Sequence, residues 1–463
     1  MSVQPFALTA RQMADAFGGV LGYGDEHRLL PTVSIDTRTL VPGDLFVAIR
    51  GPRFDGHGFI AQAIALGAGG VVVSDPAAVT ATDLPVIVVG DTLRGLQDAA
   101  RVIRRRAAST VVAITGSVGK TTTKEITATL LGRRFTTFRN RGNLNNHLGL
   151  PLSLFELHAA PRYAVVELGM SGVGEISRLV AIAEPQVRVW TNVGEAHLGF
   201  FDSVDDIALA KQEILEGARP EDVFIANAGD ARVMARTTTF AGRVLTFGVD
   251  VAADVSISDV ESRGFAGTTA TLSLQGDVRT IETRLLGAGN LANIAAASAV
   301  ALHAGLAADE IVAGVAELTP PAHRGEVVHA AGGWVVIDDA YNSSPSALTR
   351  ALQTLAAVPG RRVAILGEML ELGDFSERYH ADCGRTAGTL GVSVVVAVGG
   401  SPARALADAA SRAGSAIVHH VGDSAAAAAL ARDLVRQGDA VLVKGSRGIH
   451  MEAVVRMLTG EVA

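Results

Sequence analysis

The sequence predicts an α/β protein of three domains, and three observations lead to this class. With 463 residues, 48% of them hydrophobic and 19% charged, the chain is long enough to form several domains with separate cores. Apolar runs typical of buried strands alternate with helical patterns over 110–228 and again over 333–445, which favours parallel sheets covered on both faces. Between these regions, the paired prolines of LTPPAHRGE (318–326) disfavour helix and indicate a linker. We therefore expect domains at residues 1–106, 107–318 and 319–463.

The first predicted domain is a small α/β unit. LFVAI (45–49) and GGVVVS (69–74) are rich in β-forming residues and predict strands, and residues 59–67 between them have a helical pattern. RRRAAS (104–109) is polar, and we interpret it as the join to the second domain.

The second domain is predicted to contain a mostly parallel sheet. Four apolar runs predict its strands: TVVAIT (110–115), YAVVELG (163–169), VRVWTNV (187–193) and DVFIANA (222–228). Near 250–286 the pattern becomes alternating, as in TATLSLQG, and predicts antiparallel strands.

The third domain is predicted to be Rossmann-like, with a doubly wound parallel sheet. Its predicted strands are GWVVIDD (333–339), RRVAILG (361–367), VSVVVAVGG (392–400) and DAVLVKG (439–445). The alanine-rich segment 424–432 predicts a helix, because alanine has the highest helix propensity.

Composition narrows the classes of protein to which the chain can belong. The formal net charge of −7 argues against general nucleic-acid binding, and a single cysteine, Cys383, allows no internal disulfide. No apolar run approaches the length of a membrane span, and the first 19 residues lack the unbroken apolar stretch of a signal peptide. We therefore expect a cytoplasmic enzyme without a membrane span or nucleic-acid partner.

A candidate phosphate-binding loop follows the first strand of the second domain. A predicted strand, a glycine-bearing loop and a predicted helix come in the order that such a loop requires. Backbone N–H groups and the helix N-terminus would bind phosphate, Lys120 would neutralise its charge, and the Thr121 hydroxyl would bind Mg²⁺. Ile114 stands where the usual longer motif has its first glycine, and an ordinary strand-to-helix turn with a chance lysine is the alternative. The loop residues are Gly116, Ser117, Val118, Gly119, Lys120, Thr121 and Thr122.

Three further residues have side chains suited to a metal or phosphate site. Glu167 ends a predicted strand, where a second acid for Mg²⁺ is expected; the alternative is a surface glutamate. His197 follows another strand, but Mg²⁺ prefers oxygen and a lone histidine is more often structural, so the residue chemistry alone favours a structural histidine. Lys211 lies on a predicted helix, where a solvated lysine is the simplest reading.

Motifs along almost the whole chain resemble those of the Mur ligases, which are ATP-dependent amide-bond-forming enzymes of peptidoglycan precursor synthesis. Within the family, DDAYNSSPSAL and GEMLELG are similar to the members that add D-alanyl-D-alanine to UDP-N-acetylmuramoyl-tripeptide. The resemblance implies a cytoplasmic ligase that works through an acyl phosphate and is a monomer. The similar stretches are SIDTRTLVPGDLFVAIRGPRFDGHGFI (34–60), TGSVGKTTTK (115–124), GNLNNHLGLPLSL (142–154), VELGMSGVGEI (166–176), TNVGEAHLGFF (191–201), GNLANIAAA (289–297), DDAYNSSPSAL (338–348) and ILGEMLELGDFSERYH (365–380).

The resemblance also assigns roles around ATP and its metal. Glu167 and His197 match Mg²⁺ ligands, and Lys211 matches a lysine that reacts with CO₂ to give a carbamate, whose oxygens suit Mg²⁺. With Lys120, the residues His197 and Lys211 form the implied catalytic set. The further implied ATP contacts are Asn290, Asn293, Arg324 and Asp339; for Asn290 a helix cap is the alternative. Lys444 is expected beside this site, with a structural turn as an equal alternative.

The remaining implied residues contact substrate. An arginine such as Arg38 suits a diphosphate, because a guanidinium can form forked hydrogen bonds with it. For the DGH segment (55–57), a tight turn is the alternative. Two residues depart from the pattern of the family: His147 stands where an acid is usual and Ser344 where an asparagine is usual. The implied set is Ser34, Asp36, Arg38, Asp55, Gly56 and His57 for the UDP-sugar, with Asn143, Asn145, Asn146, Tyr341 and Asn342.

Two other functions are alternatives. A related ligase could add the third peptide residue or polyglutamate to folate, but we find no D-N-P-R motif, and the folate enzymes generally lack the first domain. A phosphate-loop switch or motor would hydrolyse ATP to control a partner and would form no amide.

Overall fold

The computed structural model describes residues 8–52, 54–80 and 83–460. The first seven residues of the amino-terminal stretch, where we expect no signal peptide, lie outside the described residues. No helix within the described ranges combines the length and apolar character needed to cross a membrane.

The first region builds a five-stranded sheet in the order β2-β7-β6-β5-β4, parallel except for β2 against β7. Strands β5 and β6 confirm the predictions at 45–49 and 69–74, and β1 pairs with β3 separately. The elements are β1 (Leu8–Thr9), α1 (Ala10–Ala16), β2 (Val20–Tyr23), β3 (Leu29–Leu30), β4 (Val33–Ser34), β5 (Leu45–Val47), α2 (Ile60–Ala65), β6 (Gly70–Val73), β7 (Val86–Val88) and α3 (Thr92–Ala107).

The interpretation of RRRAAS (104–109) as a join is wrong, because helix α3 continues to Ala107. Arg104 is only 6% exposed, and its guanidinium donates to the backbone oxygens of Ala183 (2.7 Å) and Glu184 (2.8 Å). The three consecutive arginines therefore form the last turn of an amphipathic helix and do not belong to a linker. The partners of Arg104 lie about 80 residues further along the chain, so the local sequence does not reveal them. The helix stops at Ala108, which has a left-handed backbone.

The middle of the chain confirms the predicted strand–helix alternation. Strand β13 pairs in parallel with β12 and β14, whereas β15 is antiparallel to β14 and β16, as the alternating pattern near 250–286 predicts. The elements are β8 (Thr110–Thr115), α4 (Lys120–Gly132), β9 (Thr137–Arg139), α5 (Gly149–Phe155), β10 (Tyr163–Glu167), α6 (Glu175–Ala183), β11 (Val187–Trp190), α7 (Val204–Gln212), β12 (Val223–Asn227), α8 (Ala231–Met234), β13 (Arg243–Val249), β14 (Val255–Ser262), β15 (Thr268–Leu274), β16 (Asp277–Thr283), α9 (Ala288–His303) and α10 (Ala308–Ala316).

The last region is the predicted doubly wound sheet, with strand order β17-β18-β22-β19-β20-β21. Only β17 is antiparallel to its neighbour, and the alanine-rich helix is confirmed as α14. The elements are β17 (Glu326–His329), β18 (Val335–Asp339), α11 (Pro345–Ala356), β19 (Arg361–Gly367), α12 (Ser376–Thr389), β20 (Val394–Val398), α13 (Ser401–Arg412), β21 (Ile417–Val421), α14 (Ser424–Leu434), β22 (Asp439–Lys444) and α15 (Glu452–Thr459).

The described residues form two compact units. The first contains those up to Ala113 with Phe135–Val187 and Glu216–Ala218; the second contains Ile114–Arg134, Arg188–Leu215 and the residues from Arg219 onward. In the second unit, loops follow the carboxyl ends of β8, β11 and β12, and of β18, β22 and β19. Ligands of open α/β sheets bind at such ends, where the strand order reverses. The domain boundaries at 106/107 and 318/319 stay predictions.

The second unit contains a buried ion pair on β11. Arg188 Nη1 lies 2.8 Å from Asp222 Oδ2, both side chains are at most 2% exposed, and Arg188 Nε donates to the Ile214 carbonyl. Replacing Arg188 by Gln would leave a buried carboxylate uncompensated. We predict a loss of about 3–5 kcal/mol in the free energy of unfolding, measured by urea denaturation.

The matched control is Arg232→Gln, which breaks the ion pair with Asp205 on the surface, where the side chains are 44% and 74% exposed. That variant should lose about 1 kcal/mol or less. Equal losses in the two variants would contradict the role assigned to the buried pair.

Candidate functional site

The loop between β8 and α4 has a backbone that requires glycine at two positions. Gly116 has a φ of +149° and Gly119 a φ of +89°, in the region that favours glycine. A Cβ at Gly116 would overlap Thr191 Oγ1, and one at Gly119 would overlap Asn293 Oδ1. These positions let the backbone approach other groups closely, as a phosphate cradle requires.

The segment after β11 holds this loop in shape. The Asn192 side chain accepts from the Val118 N–H and donates to the Val118 carbonyl, both at 2.9 Å, and Thr191 Oγ1 donates to the same carbonyl. Ser117 Oγ donates to the Gly194 carbonyl and lies 2.9 Å from the Gly194 N–H. The loop is therefore fixed by side chains from the neighbouring strand end.

Lys120 and Thr121 begin helix α4. Lys120 Nζ donates to the Gly116 carbonyl at 2.8 Å, so its charge lies across the loop. Arg324, which lies within the predicted linker, places Nη2 3.4 Å from Thr121 Oγ1. The structure therefore brings Lys120, Thr121 and Arg324 together. Thr122 is buried on the same helix.

Of the two asparagines on helix α9, Asn293 faces the loop, and its Nδ2 donates to Asn290 Oδ1 at 3.3 Å. Asn293 is 8% exposed, and its Oδ1 accepts from Thr123 Oγ1 at 3.2 Å. Asn290 is not the helix cap, because the cap position is Gly287 and the Asn290 amide donates to the Leu286 carbonyl. The cap interpretation is wrong, since α9 begins two residues before Asn290.

Tyr341 lies between two guanidinium groups. Arg324 is 4.2 Å and Arg447 5.3 Å from the centre of the Tyr341 ring. Such cation–π contacts favour a fixed position for the planar guanidinium. The ring thus helps to hold Arg324 where it reaches Thr121.

The ends of strands β18 and β22 are joined by a buried ion pair. Lys444 is 3% exposed and donates to Asp339 Oδ2 at 2.6 Å and to the Asn342 carbonyl at 2.9 Å. The structural interpretation of Lys444 therefore holds, because it fastens the turn after β18. Beside it, burial raises the pKa of Asp338, although the hydrogen bond from His323 opposes the shift.

His197 contacts the segment after β19. Its Nδ1 lies 2.6 Å from Glu371 Oε2, and this hydrogen bond lowers the pKa of Glu371. His197 has a φ of +66° and Glu371 a φ of +63°, so two non-glycine residues with left-handed backbone meet here.

Lys211 is not solvated, and that interpretation of the sequence is wrong. It lies on α7 and is 1% exposed, because the helix packs this face into the unit. Burial lowers the pKa of Lys211 well below its ordinary value, and the charge of Lys120 lowers it further. The neutral amine is thereby favoured.

In the first unit, Glu167 is not a surface residue. It is 3% exposed at the end of β10, and its Oε1 accepts from Asn145 Nδ2 at 2.8 Å. Its backbone N–H donates to Asn140 Oδ1, so Asn145 orients the carboxylate and Asn140 fixes the backbone at the end of the strand. Asn146 instead accepts from the Leu148 and Gly149 N–H groups at the start of α5, and Asn143 is exposed.

The predicted UDP-sugar residues form two local groups in the first unit. Ser34 Oγ donates to the Asp36 carbonyl, and Arg38 makes a forked pair with the Asp36 carboxylate at 2.6–3.1 Å. The Arg38 guanidinium is exposed. It is therefore accessible to an anion, although Asp36 already neutralises it.

The second group, Asp55, Gly56 and His57, forms a tight turn, which agrees with the alternative interpretation of the DGH segment. Asp55 Oδ1 accepts from the His57 N–H and lies 2.6 Å from His57 Nδ1, and these bonds lower the pKa of Asp55 to about 2. The Ser74 N–H donates to His57 Nε2, so Nδ1 carries the proton. A Cβ at Gly56 would lie 2.6 Å from Ile49 N, which requires glycine.

Sequence reasoning missed Asn192 and Glu371 as site residues. Both lie inside stretches that resemble the family, at the carboxyl ends of β11 and β19. Two signals for them were available in the sequence. Asn192 is an amide that follows the predicted strand next to the glycine loop, and Glu371 is an acid that follows another predicted strand. Among the described residues, no three His, Cys, Asp or Glu side chains cluster as a metal site.

Replacing Gly119 by Ala tests the loop geometry. We predict at least a tenfold loss of ATP affinity by isothermal titration calorimetry, because about 1–2 kcal/mol of left-handed strain adds to the overlap with Asn293. Gly422→Ala is the control, since a Cβ there meets nothing within 4 Å. Unchanged affinity in Gly119→Ala would contradict the assignment of the loop.

Comparison with known proteins covers all three regions. The Mur ligase family, catalytic domain, matches residues 31–104; the Mur ligase middle domain matches 114–301; and the Mur ligase, glutamate ligase domain, matches 323–447. The UDP-N-acetylmuramoyl-tripeptide–D-alanyl-D-alanine ligase of Escherichia coli is 36% identical over 98% of each chain.

Solved structures of MurF ligases share the fold of this chain over nearly its whole length. MurF from Acinetobacter baumannii superposes with a TM-score of 0.89 at 32% identity, covering 99% of this chain and 100% of that one. MurF ligase from Thermotoga maritima in complex with ADP gives a TM-score of 0.84 at 30% identity, covering 93% and 97%. This chain therefore belongs to the Mur ligase family, among relatives named UDP-N-acetylmuramoyl-tripeptide–D-alanyl-D-alanine ligases.

Proposed function

We propose that this protein joins D-alanyl-D-alanine to UDP-N-acetylmuramoyl-tripeptide, with conversion of ATP to ADP and phosphate, in the cytoplasm. The observation that carries the proposal is the approach of Arg324 to Thr121 at the phosphate loop, 203 residues apart in sequence. Two regions matched by different ligase domains thereby contribute to one phosphate site. The monomeric state stays a prediction.

The reaction begins at the tripeptide carboxylate. One of its oxygens attacks the γ-phosphorus of ATP, the bond to the bridging oxygen breaks, and ADP leaves. Backbone N–H groups of residues 116–119, Lys120 and Arg324 would stabilise the charge on the transferred phosphoryl group. The product is an acyl phosphate.

The second step forms the amide bond. The amine of D-alanyl-D-alanine attacks the acyl carbon and its nitrogen gives up a proton to the departing phosphate or to solvent, while the C–O bond to phosphate breaks and phosphate leaves with one former carboxylate oxygen. Water would hydrolyse the acyl phosphate, so exclusion of water is required. Within the second unit, the ring of Tyr341 helps to hold Arg324 next to the Thr121 hydroxyl, which fixes one donor of the phosphate site.

Asn290 and Asn293 are the proposed adenine contacts, because an amide can both donate to and accept from the edge of the base. Asn293 already packs beneath Gly119, so the adenine would lie next to the phosphate loop. Asp339 is proposed to contact ATP from β18, although its pairing with Lys444 leaves it only part of its acceptor capacity.

Lys211 is proposed to carry a carbamate. Its burial and lowered pKa favour the neutral amine, whose lone pair forms the N–C bond with CO₂ as one proton is released. The product replaces a buried amine by a carbamate, which carries two oxygens. Because no acidic cluster occurs among the described residues, such oxygens would supply what a divalent cation requires.

Mg²⁺, when bound, would neutralise charge on the phosphates. In the second unit, the Thr121 hydroxyl, the Lys211 carbamate and the His197 imidazole are the residues proposed to hold it. Hydroxyl and carbamate oxygens fit the preference of this ion, whereas an imidazole nitrogen is a weaker donor for it. In the first unit, Glu167 stays a predicted ligand, buried and oriented by Asn145.

The UDP-sugar is proposed to bind the first unit. The exposed guanidinium of Arg38 and the turn Asp55–Gly56–His57 are the groups that the resemblance implies. The asparagines Asn143, Asn145 and Asn146, with Tyr341 and Asn342, stay predicted substrate contacts.

The ligation itself is tested by mass spectrometry of the product formed from ATP, UDP-N-acetylmuramoyl-tripeptide and D-alanyl-D-alanine. We predict the pentapeptide product and phosphate release that depends on both peptide substrates. Addition of a single amino acid to the dipeptide precursor, or to folate, would favour the related ligases. Phosphate release without any amide product would indicate a switch or motor.

The carbamate is tested with Lys211→Ala, which should lose activity by at least about 100-fold and regain part of it with formate or acetate. In the wild type, ¹³C-bicarbonate should give a carbamate NMR signal that is absent from Lys211→Met. Lys124→Met is the matched control, since Lys124 is also buried but pairs with Glu125. A signal that persists in Lys211→Met would contradict the carbamate.

A further inference from the structure

The segment Glu368–Phe375 follows strand β19 and contains acidic residues that have no role in the chemistry proposed above. Its contact with residues 197–199 is built by both backbone and side chains. The Gly199 N–H donates to the Glu371 carbonyl at 2.8 Å, and His197 Nδ1 lies 2.6 Å from Glu371 Oε2.

Close packing of two glycines makes this contact specific. A Cβ at Gly199 would lie 3.0 Å from the Gly373 N, and a Cβ at Gly373 would lie 3.0 Å from the Gly199 Cα. His197 and Glu371 also both adopt left-handed backbone, which is rare for such residues and persists only where surrounding contacts impose it. The backbone at His197, Gly199, Glu371 and Gly373 is therefore restricted by this contact, which places the Glu371 carboxylate next to the His197 ring.

We propose that Glu371 is a positioning residue that holds the proton of His197 on Nδ1 and so keeps the lone pair of Nε2 available as a ligand atom. A carboxylate accepts only, so Nδ1 must be the donor in this pair. A carboxylate on one ring nitrogen fixes the orientation of a metal-binding histidine and makes the other nitrogen more basic. This inference rests on the proposed role of His197 as a metal ligand.

The proposed hydrogen-bond partner of His197 therefore comes from a region of the chain that a different family domain matches. Glu371 lies 174 residues away, in the region matched by the glutamate ligase domain, whereas His197 lies in the middle domain.

The test uses the full chain labelled with ¹⁵N-histidine and the variants Glu371→Ala, Glu371→Gln and, for assignment, His197→Gln. In the metal-free wild type we expect the Nδ1–H tautomer of His197, and in Glu371→Ala a shift toward the Nε2–H tautomer that predominates in free histidine. Glu371→Gln, which can still accept, should retain the wild-type tautomer. Glu377→Ala removes an exposed glutamate of helix α12 and is the control.

A second readout is Mn²⁺ affinity, measured by electron paramagnetic resonance with a non-hydrolysable ATP analogue. Glu371→Ala should bind Mn²⁺ about 10–100-fold more weakly. An unchanged tautomer and unchanged Mn²⁺ affinity in a folded Glu371→Ala protein would overturn the inference, even if the wild type forms the amide. Conversely, if the wild type forms no amide but Glu371→Ala still shifts the tautomer and weakens Mn²⁺ binding, the proposed function is overturned and the role of Glu371 stands.

Discussion

The shape of the phosphate loop depends on one side chain, the amide of Asn192. It occupies both the N–H and the carbonyl of Val118 and thereby fixes the peptide units between two glycines with unusual backbone. Asn192 lies just beyond β11, so the sheet that aligns β8 with β11 also sets the loop. From this fixed loop follow the start of α4, the position of Lys120 and the place where Arg324 arrives. Without the bonds from Asn192, the N–H groups of the loop would not be held in one direction. This matters because preorganised hydrogen-bond donors are the main source of stabilisation in phosphoryl transfer.

Around the loop, charge is arranged by burial and pairing. Lys444 is buried against Asp339, and Arg324 is held by an aromatic face rather than by an acid, so its charge stays directed toward Thr121. Lys211 differs from both, because burial and a neighbouring cation oppose its charged form. These surroundings favour loss of the lysine proton, and the deprotonated amine is the form that reacts with CO₂ in the proposed carbamate.

Local features were predictable from the sequence, and distant pairs were not. The strand Thr110–Thr115 and the helix behind it follow from apolar periodicity and glycine placement, which act over a few residues. The burial of Lys211 was missed although Ile207 and Ala208 lie on the same face of α7 at helical spacing, because a lysine is rarely fully buried and was therefore assigned to solvent. The contact of His197 with Glu371 depends on how two regions fold onto each other, and α3 was misread because the partners of Arg104 lie about 80 residues away.

The central claim is that ATP activates a carboxylate, and isotope transfer tests it most directly. With ¹⁸O in the terminal carboxylate of the UDP-tripeptide, ligation through an acyl phosphate must move one ¹⁸O into the released phosphate. Mass spectrometry should therefore find singly labelled phosphate in a one-to-one ratio with the amide product. Unlabelled phosphate formed alongside the amide would contradict the account, because it would mean that ATP is cleaved by water rather than by the substrate.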